Sequence, residues 1–147
     1  PTVPEVSGAA NKKTLTIVVY MPKEDGTLAA IDAKIAPTGN RPKAALAELF
    51  RREKRFFPKD TKVIDVKIDA KGLAVVDLNR KILDKEVANQ KVEALGLGSI
   101  VKTVAEDKSV KQVKITVEGR SHGDIGGRSI DRFWGFNSLK LQPFAVK

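Results

Sequence analysis

The stretch Leu95–Gly119, LGLGSIVKTVAEDKSVKQVKITVEG, decides the fold of this chain. Its first half carries apolar residues three and four positions apart, which is the spacing of an amphipathic helix. Near Ser109 the spacing changes to two, and Val113, Ile115 and Val117 alternate with polar residues, as in a sheet that is covered on one face. The sequence therefore predicts a helix that leads through a tight turn into a strand, with the helix laid over the sheet.

Two hairpins and another helix are predicted upstream of this stretch. Asp25-Gly26 and Lys71-Gly72 each join two short extended runs, which is typical of hairpin turns. Pro42 falls in the first turn of an amphipathic run, and Asn40 or Thr38 can cap that helix. We therefore predict an α+β fold, in which a mostly antiparallel sheet of about five strands carries two helices on one face. The strands are expected near 14–21, 28–36, 62–70, 73–78 and 110–118, and the helices up to about Lys54 and over 84–106.

Length and composition predict one compact domain with short extensions. The chain has 147 residues, of which 41% are hydrophobic, and this is enough for a single core. Residues 1–13 are predicted to be a flexible tether, because they carry Pro, Ser, Gly, Asn and Lys with little apolar periodicity. Residues 14–131 form the predicted domain, and 132–147 are predicted to be an aromatic tail packed on it. The apolar runs are far shorter than the roughly 20 residues that a membrane-spanning helix needs.

Three groups of residues stand in a characteristic order near the end of the predicted domain. They are Ser99, Ile100, Val101, Thr103 and Val104, then Val117, Glu118 and Gly119, then Gly126 and Gly127. This series resembles the GerMN domain, a module of sporulation and spore germination proteins and of related Gram-positive envelope lipoproteins. The resemblance covers roughly Lys13 to Asp131.

The resemblance implies a function and a location. It implies a non-enzymatic protein–protein interaction domain of a sporulation or germination complex, whose partners are other envelope or sporulation-complex proteins. It also implies an extracytoplasmic lipoprotein, held at the membrane by an anchor upstream of Pro1 and outside this chain. GerMN domains are similar in fold to ring-building motifs, so self-association is a further hypothesis.

The charge of the chain favours anionic partners. The formal net charge is +9 at neutral pH, which by itself does not choose among nucleic acid, lipid head groups, wall polymers and acidic proteins. The densest basic run forms a candidate basic patch of Arg51, Arg52, Lys54 and Arg55. A simpler explanation is that these cations complement the negative end of a helix. The alternative function is therefore a basic module that binds an anionic polymer, although no nucleic-acid-binding motif is present and nucleic acid is not the expected partner.

A second candidate surface combines apolar and arginine residues. Val92 and Leu95 fall opposite the main apolar stripe of the second helix, and the tail places Trp134 beside Arg128 and Arg132. These five residues form the candidate partner surface. The alternative is structural, with a loop or the tail covering Val92 and Leu95 and the aromatic cluster acting as a lid on the sheet.

The sequence offers little for catalysis. Cysteine is absent, which excludes thiol chemistry and cysteine-bound metals, and His122 is the one histidine. His122 lies beside Ser121 among glycines, but adjacent residues do not make a nucleophile and base without a third orienting group. Asp77 closes an apolar strand and is predicted to form a strand-end hydrogen bond to the loop that follows it. We therefore predict no catalytic residue, metal ligand or cofactor.

Overall fold

A computed structural model describes residues 14–53, 56–84, 90–131 and 142–146, with side chains for all of them except 90–93. The chain forms an α+β fold, as the sequence predicts. In order, its elements are β1 (Leu15–Pro22), β2 (Leu28–Ile35), α1 (Arg41–Arg52), β3 (Val63–Ile68), β4 (Leu73–Leu78), a 3₁₀ turn (Arg80–Leu83), α2 (Gln90–Val104), β5 (Gln112–Val117), β6 (Asp124–Ile125), β7 (Arg128–Ser129) and β8 (Phe144–Ala145). The predicted tether and residues 132–141 lie outside the described residues, so the division into tether, domain and tail stays a prediction.

The strands are divided between sheets and are not all antiparallel. β1 and β2 form an antiparallel pair of their own, whereas β3, β4, β5 and β8 form a four-stranded sheet in that order. Within it β4 and β5 run parallel, because the 3₁₀ turn and α2 carry the chain across between them. β6 and β7 form a further antiparallel pair. The described strands are thus arranged as two hairpins and a mixed sheet, and not as the expected single sheet. Apolar alternation identifies a strand but does not fix its partner or direction.

Helix α1 begins where the sequence predicts. Asn40 caps it, since its side-chain oxygen accepts a hydrogen bond from the Lys43 main-chain N–H at 3.2 Å, and a proline occupies the first turn. The Asn40 amide also donates to the Val66 carbonyl at 2.9 Å. One side chain therefore starts the helix and ties it to β3.

The core joins both helices to the β1–β2 pair and to the four-stranded sheet. Each helix packs on β1 and on the other helix, and α1 also packs on β3. The large side chains that are fully buried come from every layer of the fold. They include Leu46, Leu49, Leu78, Ile82, Ile100, Ile115 and Ile130. Neither helix in the described ranges is long and apolar enough to cross a membrane.

Buried hydroxyl groups of α2 attach it to the edge of β1. The Tyr20 main-chain N–H donates to Thr103 Oγ1 at 3.0 Å, and Ser99 Oγ donates to the Tyr20 carbonyl. Ser99 and Thr103 are almost fully buried and lie four residues apart, so they share one face of the helix. They satisfy two strand-edge groups that would otherwise lack partners in the interior. These are the Ser and Thr of the series that carries the family resemblance.

The hydrogen bond from the Tyr20 N–H to Thr103 should contribute measurably to the free energy of unfolding. Thr103→Val keeps the shape of the side chain but leaves the Tyr20 N–H without an acceptor, and we expect it to lower the free energy of unfolding by about 1–3 kcal/mol. Urea denaturation followed by circular dichroism measures this. Thr16→Val on the exposed face of β1 is the control, with an expected change within about 0.5 kcal/mol. Equal effects of the two variants would contradict a role for the hydroxyl.

Candidate interaction surfaces

A groove lies between the start of α1, the end of α2 and β1, with a volume of about 400 Å³. We call it the strand-edge groove. Its lining residues are Thr16, Ile17, Val18, Arg41, Pro42, Ala45, Thr103, Glu106, Asp107 and Lys108. Two cations and two carboxylates therefore surround an apolar floor, and the charges of the lining balance.

The main chain of β1 faces this groove. Tyr20 pairs with Ala30 on β2, but its N–H and C=O bond to α2, so they point away from β2. Main-chain direction alternates along an antiparallel strand, and Val18 and Thr16 therefore point their N–H and C=O groups to the same side as Tyr20. No hydrogen bond joins these groups of Val18 and Thr16 to another described residue. The groove thus exposes a short length of strand edge.

Tyr20 and α2 are also linked beside this groove. The Tyr20 hydroxyl donates to Glu106 Oε1 at 3.1 Å, and the Lys102 ammonium lies 5.4 Å from the centre of the Tyr20 ring. Burial raises the pKa of Tyr20, and its hydrogen bond to Glu106 raises that pKa further. Tyr20 therefore stays neutral and holds the end of α2 against β1.

A second groove, which we call the cationic groove, has a volume of about 430 Å³. Its walls are the last turns of α1 and the loop that leads into β3. The lining residues are Ala47, Phe50, Arg51, Pro58, Lys59, Asp60, Thr61, Lys62 and Val63. Three of the four charged residues in this lining are cations, in contrast to the strand-edge groove.

The loop wall of the cationic groove is held in place by local bonds. Asp60 has a positive φ of 66°, a conformation that favours glycine but that Asp and Asn also adopt. The Asn79 amide donates to the Asp60 carbonyl at 3.0 Å and accepts from the Lys62 N–H at 3.0 Å. Phe50 and Phe57 pack edge to face below the loop, with ring centroids 4.9 Å apart. The lysines before and after Asp60 are thus carried on a fixed turn.

The candidate basic patch is only partly visible. Glu48 accepts from Arg51 at 2.7 Å and from Arg52 at 2.9 Å, so one carboxylate serves two guanidinium groups at the end of α1. The patch members Lys54 and Arg55 lie outside the described residues. Lys59 and Lys62 take part in none of the ion pairs found in the described ranges. Lys62 was missed by the sequence analysis, because only the fold brings the β3 loop beside α1.

The candidate partner surface is not assembled by the residues that the structure describes. Leu95 is half-buried on α2. Arg128 donates to the Leu83 carbonyl at 3.3 Å and lies 3.7 Å from the Asp84 carboxylate, so it binds the 3₁₀ turn. The Val92 side chain, Arg132 and Trp134 fall outside the described residues. This surface stays a prediction.

In the part of the chain that the structure describes, side chains of the types used in catalysis make structural contacts or have no partners suited to catalysis. Asp77 Oδ1 accepts from Thr116 Oγ1 and from the Gly119 N–H, both at 2.8 Å. Asp77 thus has a structural role at the strand end, as predicted, but its partners lie on β5 and in the turn after β5, and not in the loop that follows Asp77. His122 is exposed, and Ser121 Oγ lies 3.3 Å from its Nδ1. Among the described residues, no cluster of three or more His, Asp or Glu side chains is placed to hold a metal ion.

Comparison with known proteins places the chain in a family. The profile of the family described as "Germane: Sporulation and spore germination" matches residues 18–123, which is more than half of the chain, and the chain belongs to this family. Together with the fold, this identifies a GerMN domain and confirms the resemblance. A search of curated proteins found no match.

Solved structures from Bacillus subtilis share the fold. The tandem GerMN domains of the sporulation protein GerM match with a TM-score of 0.63 and 21% identity, over 80% of this chain and 45% of that chain. The first GerMN domain of GerM matches with a TM-score of 0.61 and 16% identity, over 91% of this chain and 95% of that chain. This chain therefore spans less than half of the tandem structure and nearly all of the single domain.

The shared carboxylate of Glu48 predicts a pH dependence. Its hydrogen bond from Arg51 lowers the pKa of Glu48 below its ordinary value of 4.5, and the bond from Arg52 adds to this against an opposing effect of burial. A carboxylate whose pKa is lower in the folded state than in the unfolded state stabilises the protein. The stabilisation is complete at pH values above the unfolded-state pKa, and it is lost as the pH falls through the folded-state pKa. The free energy of unfolding of the wild type should therefore exceed that of Glu48→Gln by about 0.3–1 kcal/mol at pH 7. This difference should become smaller as the pH falls below about 4.

Urea denaturation of both proteins between pH 7 and pH 3 measures this difference. Asp32→Asn is the control, since this exposed carboxylate on β2 takes part in none of the ion pairs of the described chain. A wild-type advantage over Glu48→Gln that stays constant down to pH 3 would show that the ionised pair contributes nothing.

Proposed function

We propose that this chain is a non-enzymatic protein–protein interaction domain of a sporulation or germination complex. We further propose that it works outside the cytoplasm as part of a lipoprotein, with the anchor on a part of the protein beyond this sequence. The family match and the shared fold with GerM support the biological setting. The structural roles of Asp77 and Glu48 support the non-enzymatic reading, because these carboxylates stabilise turns and helix ends.

The observation that carries the interaction role is the strand-edge groove. It presents main-chain donors and acceptors of Thr16 and Val18 beside an apolar floor. An extended segment of a partner protein can pair with such an edge and place alternate side chains in the groove. Balanced charges at the rim suit a protein segment better than a polyanion, which gains most from a surface of one sign.

Matched proline variants test this groove. Thr16→Pro removes an N–H group that points into the groove. It breaks no hydrogen bond of the hairpin, and proline is tolerated where the N–H of an edge strand faces away from the sheet. Lys34→Pro is the control, because Lys34 is the cross-strand partner of Thr16 and its N–H points to the opposite edge. Thermal unfolding of both purified variants confirms that they fold.

In the organism that carries the gene, a photo-reactive residue at Lys108 would report contacts in the groove. We expect crosslinked adducts during sporulation that Thr16→Pro removes and Lys34→Pro retains, with spore yield or germination falling in parallel. Surface proteolysis of intact protoplasts checks the location. Normal sporulation and germination after gene deletion would contradict the biological role, and equal crosslinking of the two variants would contradict the groove.

A further inference from the structure

The lining of the cationic groove has an excess of positive charge, which the lining of the strand-edge groove lacks. Arg51 on α1 faces Lys59 and Lys62 on the opposite wall, and Asp60 is the one carboxylate of the lining. The Arg51 side chain is 64% exposed although it is bonded to Glu48. Because Glu48 is shared with Arg52, and because neither lysine is paired with a described carboxylate, the groove keeps an excess of positive charge.

The same groove has an apolar component. Phe50, Pro58 and Val63 line it between the cations. An apolar centre with a charged rim is the usual composition of a protein-binding surface.

The charges decide which kind of partner fits. Cations on the walls of a concave surface concentrate field there and attract acidic groups. A second copy of this chain carries the same net charge of +9 and is repelled overall. A nucleic acid or wall polymer would gain from only three cations, would meet Asp60, and would leave the apolar lining unused.

We propose that the cationic groove binds a short acidic segment of a partner protein, with carboxylates between Arg51, Lys59 and Lys62 and an apolar side chain against Phe50 and Val63. This rests on the interaction role proposed above and adds a second contact to it. The two surfaces are distinct, since the linings of the two grooves share no residue.

A peptide selection on the purified chain tests the proposal. Random twelve-residue peptides displayed on phage are selected on the wild-type chain at low salt. We expect enrichment of peptides with two or more Asp or Glu next to Leu, Phe or Trp. The most enriched peptide, made with a fluorescent label, is then the probe for binding by fluorescence anisotropy.

Variants of equal net charge locate the site. Lys59→Glu with Lys62→Glu should weaken probe binding about tenfold or more, whereas Lys23→Glu with Lys34→Glu on the hairpin should change it less than about threefold. Asp60→Asn keeps a residue type that accepts positive φ and removes the one carboxylate of the lining, so it should tighten binding about two- to fivefold. Affinity should also fall as salt is raised.

Each other outcome would overturn the proposal. Selected peptides without acidic residues, no enrichment at all, or equal losses in both double variants would show that the groove does not recognise an acidic segment. Tighter binding of a twenty-residue oligothymidylate through the same lysines at 150 mM salt would assign the groove to a polyanion. Thr16→Pro separates the two proposals: it should retain probe binding even where it abolishes crosslinking at Lys108.

Discussion

The attachment of α2 to β1 is the constraint on which the rest of the structure depends. An isolated two-stranded hairpin is marginal in water, so β1 and β2 need another element to pack on. Ser99 and Thr103 provide a specific attachment by bonding both polar main-chain groups of Tyr20. The same helix carries the chain from β4 to the parallel strand β5. Helix α2 therefore holds the β1–β2 hairpin in place, and it also connects the two parallel strands of the mixed sheet.

Both grooves follow from how the helices meet the strands. At the strand-edge groove, α1 and α2 leave the first residues of β1 uncovered, after α2 has satisfied Tyr20. In the four-stranded sheet the β5 edge is closed, because β8 pairs with it and the Gln142 amide bonds both polar main-chain groups of Ile115. The cationic groove forms where the end of α1 faces the loop before β3. Both proposed binding surfaces thus lie where secondary structure elements end and their main-chain or charged groups remain accessible.

The two surfaces suit different parts of an assembly. A strand edge with balanced charges can bind a segment mainly through the main chain, and side-chain pockets then add specificity. A cationic groove with an apolar lining selects by charge and speeds association at low ionic strength. A domain of the Germane family with both surfaces could hold two segments of one complex at once, which raises affinity through effective concentration.

The sequence alone determined the two helices, the five longer strands, the family resemblance and the absence of cysteine chemistry, because apolar periodicity and local turn residues are short-range signals. It also predicted a helix cap at Asn40 or Thr38, and the structure places this cap at Asn40. It did not predict the 3₁₀ turn or the two-residue strands β6, β7 and β8. The partners of Asp77 were not predicted, because Thr116 and Gly119 lie 39 and 42 residues away in the chain. Only the tertiary structure decided that the described strands divide into two hairpins and a mixed sheet, and that Lys62 and Arg51 line the same groove. The physical reason is that pairing direction and groove composition depend on contacts between residues far apart in the chain, and their energies are not visible in local sequence patterns.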